Sequence, residues 1–146
     1  MDEKKLQIYQ VGIKGVIVNP KNKALVMLKT VNGKTFWDVP GGRMEKGETI
    51  KQTMDRELRE EIPNIKEFRV KNILNVDAVH RLDTVEDIDL LLVFYKVESN
   101  LEKIELSKEH QLYRWVSLEE IKLLEKDAPI RDGIKEALMS SLKRNT

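Results

Sequence analysis

The stretch from residue 35 to residue 62 limits the fold of this chain more than any other feature of its sequence. Thr35 to Val39 has the β-branched and aromatic composition of a strand, and Pro40-Gly41-Gly42 then ends regular structure. A helix follows, because apolar residues recur at every fourth position and form one stripe that must face a core: Ile50, Met54, Leu58 and Ile62. The chain must therefore combine a sheet and a helix.

Short apolar runs bounded by turn residues predict strands on both sides of this stretch. Asn32-Gly33 is a type I′ hairpin signal between two of them. The predicted strands are Val11 to Val18, Ala24 to Leu28, Thr35 to Val39, residues 67–79, residues 88–97 and Tyr113 to Val116.

Three helices are predicted, two of which begin with a capping box. The boxes are Thr49 with Gln52 and Ser117 with Glu120. The helices cover residues 49–62, where Pro63 ends the first one, then residues 117–126 and Ile130 to Leu142. Strands, one helix, more strands and closing helices predict an α/β sandwich with a mixed sheet, in a single domain over residues 1–146.

Composition and charge exclude several classes of function. Lys and Arg number 26 and Asp and Glu 25, so the net charge of +1 argues against a protein that binds nucleic acid through bulk charge. The absence of cysteine excludes a disulfide scaffold, a cysteine-ligated metal and a cysteine nucleophile. Only His80 and His110 are present, so a three-histidine metal site is excluded, and any metal is expected to be a hard cation on oxygen ligands.

The sequence contains neither a membrane-spanning segment nor a recognisable signal peptide. Leu90 to Tyr95 is the longest apolar run and is far too short to cross a bilayer. The opening Met1-Asp2-Glu3-Lys4-Lys5 is charged, and no long apolar run follows it. We therefore expect a cytoplasmic protein with no membrane partner.

An acidic cluster on the first helix is the main candidate for chemistry. At about 100° per residue, Glu57, Glu60 and Glu61 fall within an arc of roughly 100° beside the apolar stripe. These carboxylates repel one another, and a Mg²⁺ or Mn²⁺ ion would relieve that repulsion. The alternative is a solvated charged face. The preceding segment favours a site, because Gly41-Gly42 lets the backbone approach a ligand and Glu48 can reach Arg56 near the helix start.

The same residues resemble the signature of a known family, the Nudix hydrolases. Gly42, Glu48 and the run from Arg56 to Glu61 match the Nudix box, G-x5-E-x7-R-E-U-x-E-E-x-G-U, and Trp37 to Gly42 is similar to the usual approach to it. The sequence departs from the box at its end, where Pro63 and Asn64 replace the glycine and the aliphatic residue. Because proline can also end a helix, we interpret this as a changed exit from the helix.

The resemblance implies a metal site and roles for individual residues. Glu60 and Glu61 resemble the main metal ligands, the backbone carbonyl of Gly41 resembles a third, and Glu57 resembles a further ligand or the general base. Arg56 and Glu48 resemble an ion pair that orients the glutamates. With Mg²⁺ or Mn²⁺ as cofactor, the implied reaction is hydrolysis of a nucleoside diphosphate linked to another moiety, by attack of water on the pyrophosphate.

Several residues outside the box have both a functional and a structural interpretation. Glu109 is similar to a loop glutamate that joins the metal site in this family, and an exposed loop acid is the alternative. Trp37 and Phe36 could stack on a base, or they could pack in the core at the end of a strand. His80 could assist a substrate loop or be structural. Asp83 to Asp89 is expected to be a solvated acidic loop.

Two functions from different classes remain open at this point. One is a Nudix pyrophosphohydrolase, and the other is a catalytically silent Nudix-fold module that binds nucleotides or regulates. An RNA-end hydrolase is disfavoured by the near-neutral charge. Residues 76–84 contain neither the proline nor the tyrosine that mark some subfamilies, so the expected substrate is a nucleoside triphosphate or a similar small nucleotide. A homodimer is left open by the sequence.

Overall fold

A computed structural model of the chain describes residues 5–81, 87–108 and 110–144. Within these residues it has seven strands, three α-helices and one 3₁₀ turn at Leu124–Lys126. The strands are β1 (Ile8–Val18), β2 (Ala24–Val31), β3 (Lys34–Asp38), β4 (Gly41–Arg43), β5 (Arg69–Val79), β6 (Ile88–Glu98) and β7 (His110–Val116). The helices are α1 (Ile50–Glu61), α2 (Leu118–Ile121) and α3 (Asp132–Ser141).

The strands form one mixed sheet that opens in the middle. Along its main path the order is β3-β2-β1-β6-β5, with β1 and β6 parallel and the other pairs antiparallel. The register between β1 and β2 joins Val18 to Ala24 only, and beyond that pair the two strands part. The opening is lined by β4, which pairs with β1, and by β3, which pairs with β2, while β7 pairs with the other edge of β2.

Helices cover both faces of the sheet, as the predicted α/β sandwich requires. On one face, α1 buries Met54 and Leu58 against Ile13 and Ile17 of β1. On the other face, α3 buries side chains against Phe94 of β6 and its neighbours. Each face thus has its own apolar core, which is the arrangement of an α/β/α sandwich. Among the described residues, no helix is both long and apolar enough to cross a membrane.

Local signals in the sequence are confirmed where they act over a few residues. Both capping boxes are present, at the starts of α1 and α2, with the cap hydroxyl accepting from the N3 backbone and the N3 side chain accepting from the cap backbone. The hairpin between β2 and β3 has positive φ at both central residues, 51° at Asn32 and 77° at Gly33, as a type I′ turn demands.

The prediction that Pro40-Gly41-Gly42 ends regular structure is wrong for its two glycines, which begin β4. Gly41 lies opposite Lys14 of β1 and has a φ of 139°. A β-carbon at this position would overlap the carbonyl oxygen of Ile13. Because glycine has no side chain, the backbone can lie close enough to β1 to pair with it.

Both closing helices are shorter than predicted, and contacts with Trp37 explain the late start of α3. Its indole Nε1–H donates to the carbonyl of Leu124 at 2.9 Å, in the 3₁₀ turn that follows α2. Its backbone N–H donates to the carbonyl of Pro129 at 2.9 Å, and Ile130 forms an isolated parallel bridge with it. These tertiary bonds keep residues 129–131 extended, so α3 begins at Asp132.

Candidate active site

Gly42 brings the backbone of β4 against the acidic side of α1. It lies opposite Ile13 of β1, and a β-carbon in its place would collide with the carboxylate of Glu57. A glycine here therefore allows a carboxylate on the helix to approach the main chain of the strand. This contact is the point at which the glycine turn and the acidic helix become one site.

Arg56 holds two carboxylates of this site in place. Its Nε lies 2.8 Å from Glu48 Oε2 and its Nη2 lies 2.9 Å from Glu48 Oε1, which is a bidentate pair. Its Nη1 donates to Glu57 Oε1 at 2.7 Å, and Nη2 also donates to the carbonyl of Arg43 at 3.1 Å. The guanidinium thus holds two glutamates and the end of β4 in one arrangement.

Glu48 is strongly stabilised in its charged form. Besides the two bonds from Arg56, its Oε1 accepts from the backbone N–H of Glu45 at 2.7 Å and from the hydroxyl of Thr53 at 3.2 Å. The hydrogen bonds from Arg56 and from the Glu45 backbone lower the pKa of Glu48 to about 2. The same pairing raises the pKa of the Arg56 guanidinium, so the pair stays ionised at any pH at which the protein would work.

Glu61 is the buried acid of the site. It is 6% exposed, and its Oε2 accepts from the backbone N–H of Gly41 at 2.8 Å. Burial raises its pKa to about 7; the charge of Lys14 and the bond from Gly41 oppose that rise, whereas Asp38 and Glu57 add to it. A carboxyl with this pKa exchanges its proton near neutral pH, and a bound cation would favour its charged form.

Glu60 lies at the exposed edge of the cluster. Its side chain is 60% exposed, and its Oε2 is 3.7 Å from Arg56 Nη1. In the part of the chain that the structure describes, no three carboxylate or imidazole groups meet closely enough to hold a metal ion. Glu57 is instead bonded to Arg56, and Glu61 is bonded to Gly41.

The donor set nevertheless fits a hard divalent cation. The candidate ligands are carboxylate oxygens on one side of α1, and Glu61 is a buried acid with no cationic side chain within ion-pair distance among the described residues. Mg²⁺ and Mn²⁺ prefer such oxygens and complete their shells with water and phosphate. Glu57, Glu60 and Glu61 would need to turn toward the ion when it binds.

The other candidate residues lie in different surroundings. Glu109 falls outside the described residues. Trp37 is 1% exposed, and its ring packs in the core against Arg114, whose guanidinium carbon is 5.1 Å from the ring centroid, so Trp37 cannot stack on a base. Phe36 is half-buried on the opposite side of β3. His80 pairs with Asp89 at 2.9 Å, and this contact raises the pKa of the exposed imidazole.

The ion pair between Lys14 and Asp38 is not among the site residues that the sequence predicts. The ammonium of Lys14 lies 3.2 Å from Asp38 Oδ1 and 3.3 Å from Oδ2, and both side chains are buried. The pair crosses the opening of the sheet, from β1 to β3. The sequence does contain one indication of a buried charge, because Lys14 is the one charged residue inside the predicted strand Val11 to Val18.

A model of the NUDIX domain matches residues 8–138 of the chain. The chain belongs to the Nudix family. Nudix hydrolases generally use divalent metal ions.

Two curated relatives show how the Nudix chain compares in sequence. Nucleoside diphosphate-linked moiety X motif 6 of Mus musculus is 25% identical over 137 residues, which are 92% of this chain and 43% of the mouse protein. Phosphatase NudJ of Escherichia coli strain K12 is 42% identical over 45 residues, which are 31% of this chain and 29% of NudJ. The chain therefore spans less than half the length of the curated relatives it matches.

Solved Nudix structures show the same fold. The crystal structure of MutT protein from Methanosarcina mazei Go1 matches with a TM-score of 0.70 and 23% identity, over 93% of this chain and 94% of that one. The Escherichia coli dihydroneopterin triphosphate pyrophosphohydrolase matches with a TM-score of 0.75 and 17% identity, over 93% of this chain and 98% of that one. At these identities the likeness concerns the fold alone.

Proposed function

We propose that this chain is a metal-dependent hydrolase of the pyrophosphate bond in nucleoside diphosphate-linked compounds, acting on small nucleotides of the cytoplasm. The observation that carries the proposal is the bonding of Arg56 to both Glu48 and Glu57, next to the buried Glu61. Such a cluster is more than a fold requires, because buried acids cost free energy unless they serve a ligand or a partner. A sequence relative named as a phosphatase supports the same reaction class.

The residues of α1 and β4 have distinct roles in this proposal. Glu57, Glu60 and Glu61, with the carbonyl of Gly41, would hold Mg²⁺ or Mn²⁺, and a bound ion supplies charge neutralisation at the phosphate oxygens. Arg56 and Glu48 fix the direction of Glu57 through the bonds described above. Either Glu57 or Glu109 accepts the proton of the attacking water.

A panel of nucleotides tests the reaction directly. Nucleoside triphosphates, nucleotide sugars, ADP-ribose and dinucleoside polyphosphates are incubated with Mg²⁺, with Mn²⁺ and with chelator, and the release of phosphate, pyrophosphate or nucleoside monophosphate is measured. We expect turnover of a nucleoside triphosphate or similar small nucleotide with metal and none in chelator. Full turnover in chelator would exclude the metal mechanism, and binding without turnover would favour a silent Nudix module.

Variants at the carboxylates connect that reaction to this site. Glu60→Gln and Glu61→Gln each remove one anionic ligand and keep a side chain of nearly the same shape. We expect each to lower kcat/KM by about 100-fold or more. Glu119→Gln, at an exposed position of α2, is the control and should turn over like the wild type.

The two candidate bases are separated by their own variants. Glu109→Gln should lower kcat more than it raises KM if Glu109 acts on the developing charge in the transition state. Normal turnover of this variant across a pH series would leave Glu57 as the base.

A further inference from the structure

Lys14 is a buried lysine with no role in the function proposed so far. It is 7% exposed, in the middle of β1, and its ammonium contacts both carboxylate oxygens of Asp38. Asp38 Oδ1 also accepts from the backbone N–H of Val39 at 2.8 Å. Apolar residues of similar volume usually stabilise a core as well as a buried ion pair does. Stability is therefore a weak explanation for these two charges.

The position of the ion pair connects it to the candidate metal site. Lys14 is the register partner of Gly41, and the N–H of Gly41 donates to Glu61. The segment between Asp38 and Gly41 is tied to β1 a second time, because the N–H of Gly15 donates to the carbonyl of Pro40 at 2.8 Å. The charges of Lys14 and Asp38 both act on the Glu61 carboxylate, with opposite signs.

The sign of these charges predicts their effect on a cation at Glu61. In a buried site the effective dielectric constant is about 20, so a unit charge close to the site changes the affinity for a divalent ion by about ten-fold or more. The positive charge of Lys14 opposes cation binding there, and the negative charge of Asp38 favours it. The effect on a divalent ion is about twice the effect on a proton at the same place.

We propose that Lys14 is a positioning residue that acts through Glu61. Its permanent positive charge lowers the affinity of the site for its divalent metal. Asp38 is the counter-charge that limits this effect. The inference rests on the proposed function, because it assumes that Glu61 is a metal ligand. It concerns the strength of metal binding, which can be measured without turnover.

The experiment is a titration of the full chain with Mn²⁺, without nucleotide, at pH 8.5. The paramagnetic resonance signal of free Mn²⁺ gives the dissociation constant. Lys14→Gln removes the charge but keeps a hydrogen-bond donor for Asp38, and we expect Mn²⁺ to bind about ten-fold more tightly. Lys14→Arg keeps the charge and should stay within about three-fold of the wild type.

Asp38 supplies the opposite arm of the same experiment. Asp38→Asn leaves the lysine without its counter-charge, so Mn²⁺ should bind about ten-fold more weakly. The double variant Lys14→Gln with Asp38→Asn contains neither charge and should return to within about three-fold of the wild type. Damage to the fold would weaken Mn²⁺ binding in every variant. Tighter binding in Lys14→Gln and recovered affinity in the double variant therefore cannot result from such damage.

The outcomes separate this inference from the proposed function. If Glu60→Gln and Glu61→Gln leave Mn²⁺ binding unchanged, the metal site itself is wrong. If those variants weaken binding but Lys14→Gln does not tighten it, only the role of Lys14 is refuted. Circular dichroism checks that each variant folds. If Lys14→Gln fails to fold, unchanged binding in Asp38→Asn overturns the inference.

Discussion

Arg56 is the residue on which the geometry of the site depends most. Its guanidinium bonds to Glu48 through two nitrogens and to Glu57 and the carbonyl of Arg43 through the others. A planar fork with five donors can make these contacts at once, whereas an ammonium cannot. Arg56 therefore orients Glu57 through this bond.

Arg56→Lys tests that dependence. Because lysine keeps the charge and loses the fork, we expect kcat/KM to fall about 10- to 100-fold while the unfolding free energy changes by only about 1 kcal/mol. Arg59→Lys is the matched control, since Arg59 pairs with Asp55 on the exposed side of the same helix and should change turnover less than about two-fold. Equal effects in both variants would contradict the role of Arg56.

Gly42→Ala tests the contact between β4 and α1. The added methyl group would occupy the place of the Glu57 carboxylate, so that side chain must move away from its position beside Arg56. We expect kcat/KM to fall at least about 100-fold in an assay with saturating Mg²⁺. Gly33→Ala is the control. Because Gly33 has a φ of 77°, alanine there should lower the unfolding free energy. Nothing lies near the added methyl group, so turnover should persist.

At the scale of secondary structure, the exit from α1 is where this chain departs from the Nudix box. Asn64 stands where the box has an aliphatic residue, and its Nδ2 donates to the carbonyl of Lys103 at 2.7 Å. The backbone N–H of Glu105 donates back to Asn64 Oδ1 at 2.9 Å. The N–H of Ser107 donates to the carbonyl of Glu61 at 3.1 Å. The end of α1 thus anchors the segment before β7 by hydrogen bonds.

Asn64→Ala removes two of those bonds. We expect the unfolding free energy, measured by urea denaturation, to fall by about 1 to 2 kcal/mol. Pro63→Gly is the neighbouring control, because it keeps both bonds and costs only about 0.4 to 1 kcal/mol through the greater freedom of the unfolded chain. A stability unchanged by Asn64→Ala would mean that the anchor contributes nothing in solution.

Elements with local causes are those that the sequence predicts best. The start of α1 depends on Thr49 and Gln52, three residues apart, and the predicted capping box is confirmed. The pairing of β4 depends on the approach of Gly41 to β1, and the start of α3 depends on the contacts of Trp37 with Pro129 and Ile130. Those partners are distant in sequence, so periodicity and turn signals could not identify them.

The residues of the candidate site also differ in how well the sequence predicts them. Glu48, Arg56 and Glu57 have fixed spacing on one loop and one helix, and the family resemblance was sufficient to name them. Lys14 and Asp38 come from two strands on opposite sides of the sheet opening. Their meeting is a consequence of the sheet topology, which the sequence alone did not provide.

At the scale of the whole molecule, Glu61 makes stability depend on pH and on metal. Burial raises its pKa to about 7 from an ordinary value of 4.5, so the folded state binds the proton more tightly than the unfolded state does. This contribution to stability is fully present below about pH 4.5 and is lost as the pH rises through about 7.

In chelator, the unfolding free energy of the wild type should therefore fall by about 2 kcal/mol more between pH 5 and pH 8 than that of Glu61→Gln. Urea denaturation at the two pH values measures the difference. Adding Mn²⁺ at pH 8 should restore stability to the wild type and not to the variant. Parallel pH profiles in the two proteins would contradict the raised pKa.

The parting of β1 and β2 has a consequence for the order of events in folding. The chain crosses the opening between β1 and β2, between β3 and β4, and again between β6 and β7, so neither side is built from one continuous stretch. Non-local pairings of this kind form slowly, because long loops must close first. Lys14 and Asp38 meet only after both sides have docked. During refolding, the circular dichroism signal of the helices should therefore return before turnover does. Recovery of turnover would then mark the last step of folding.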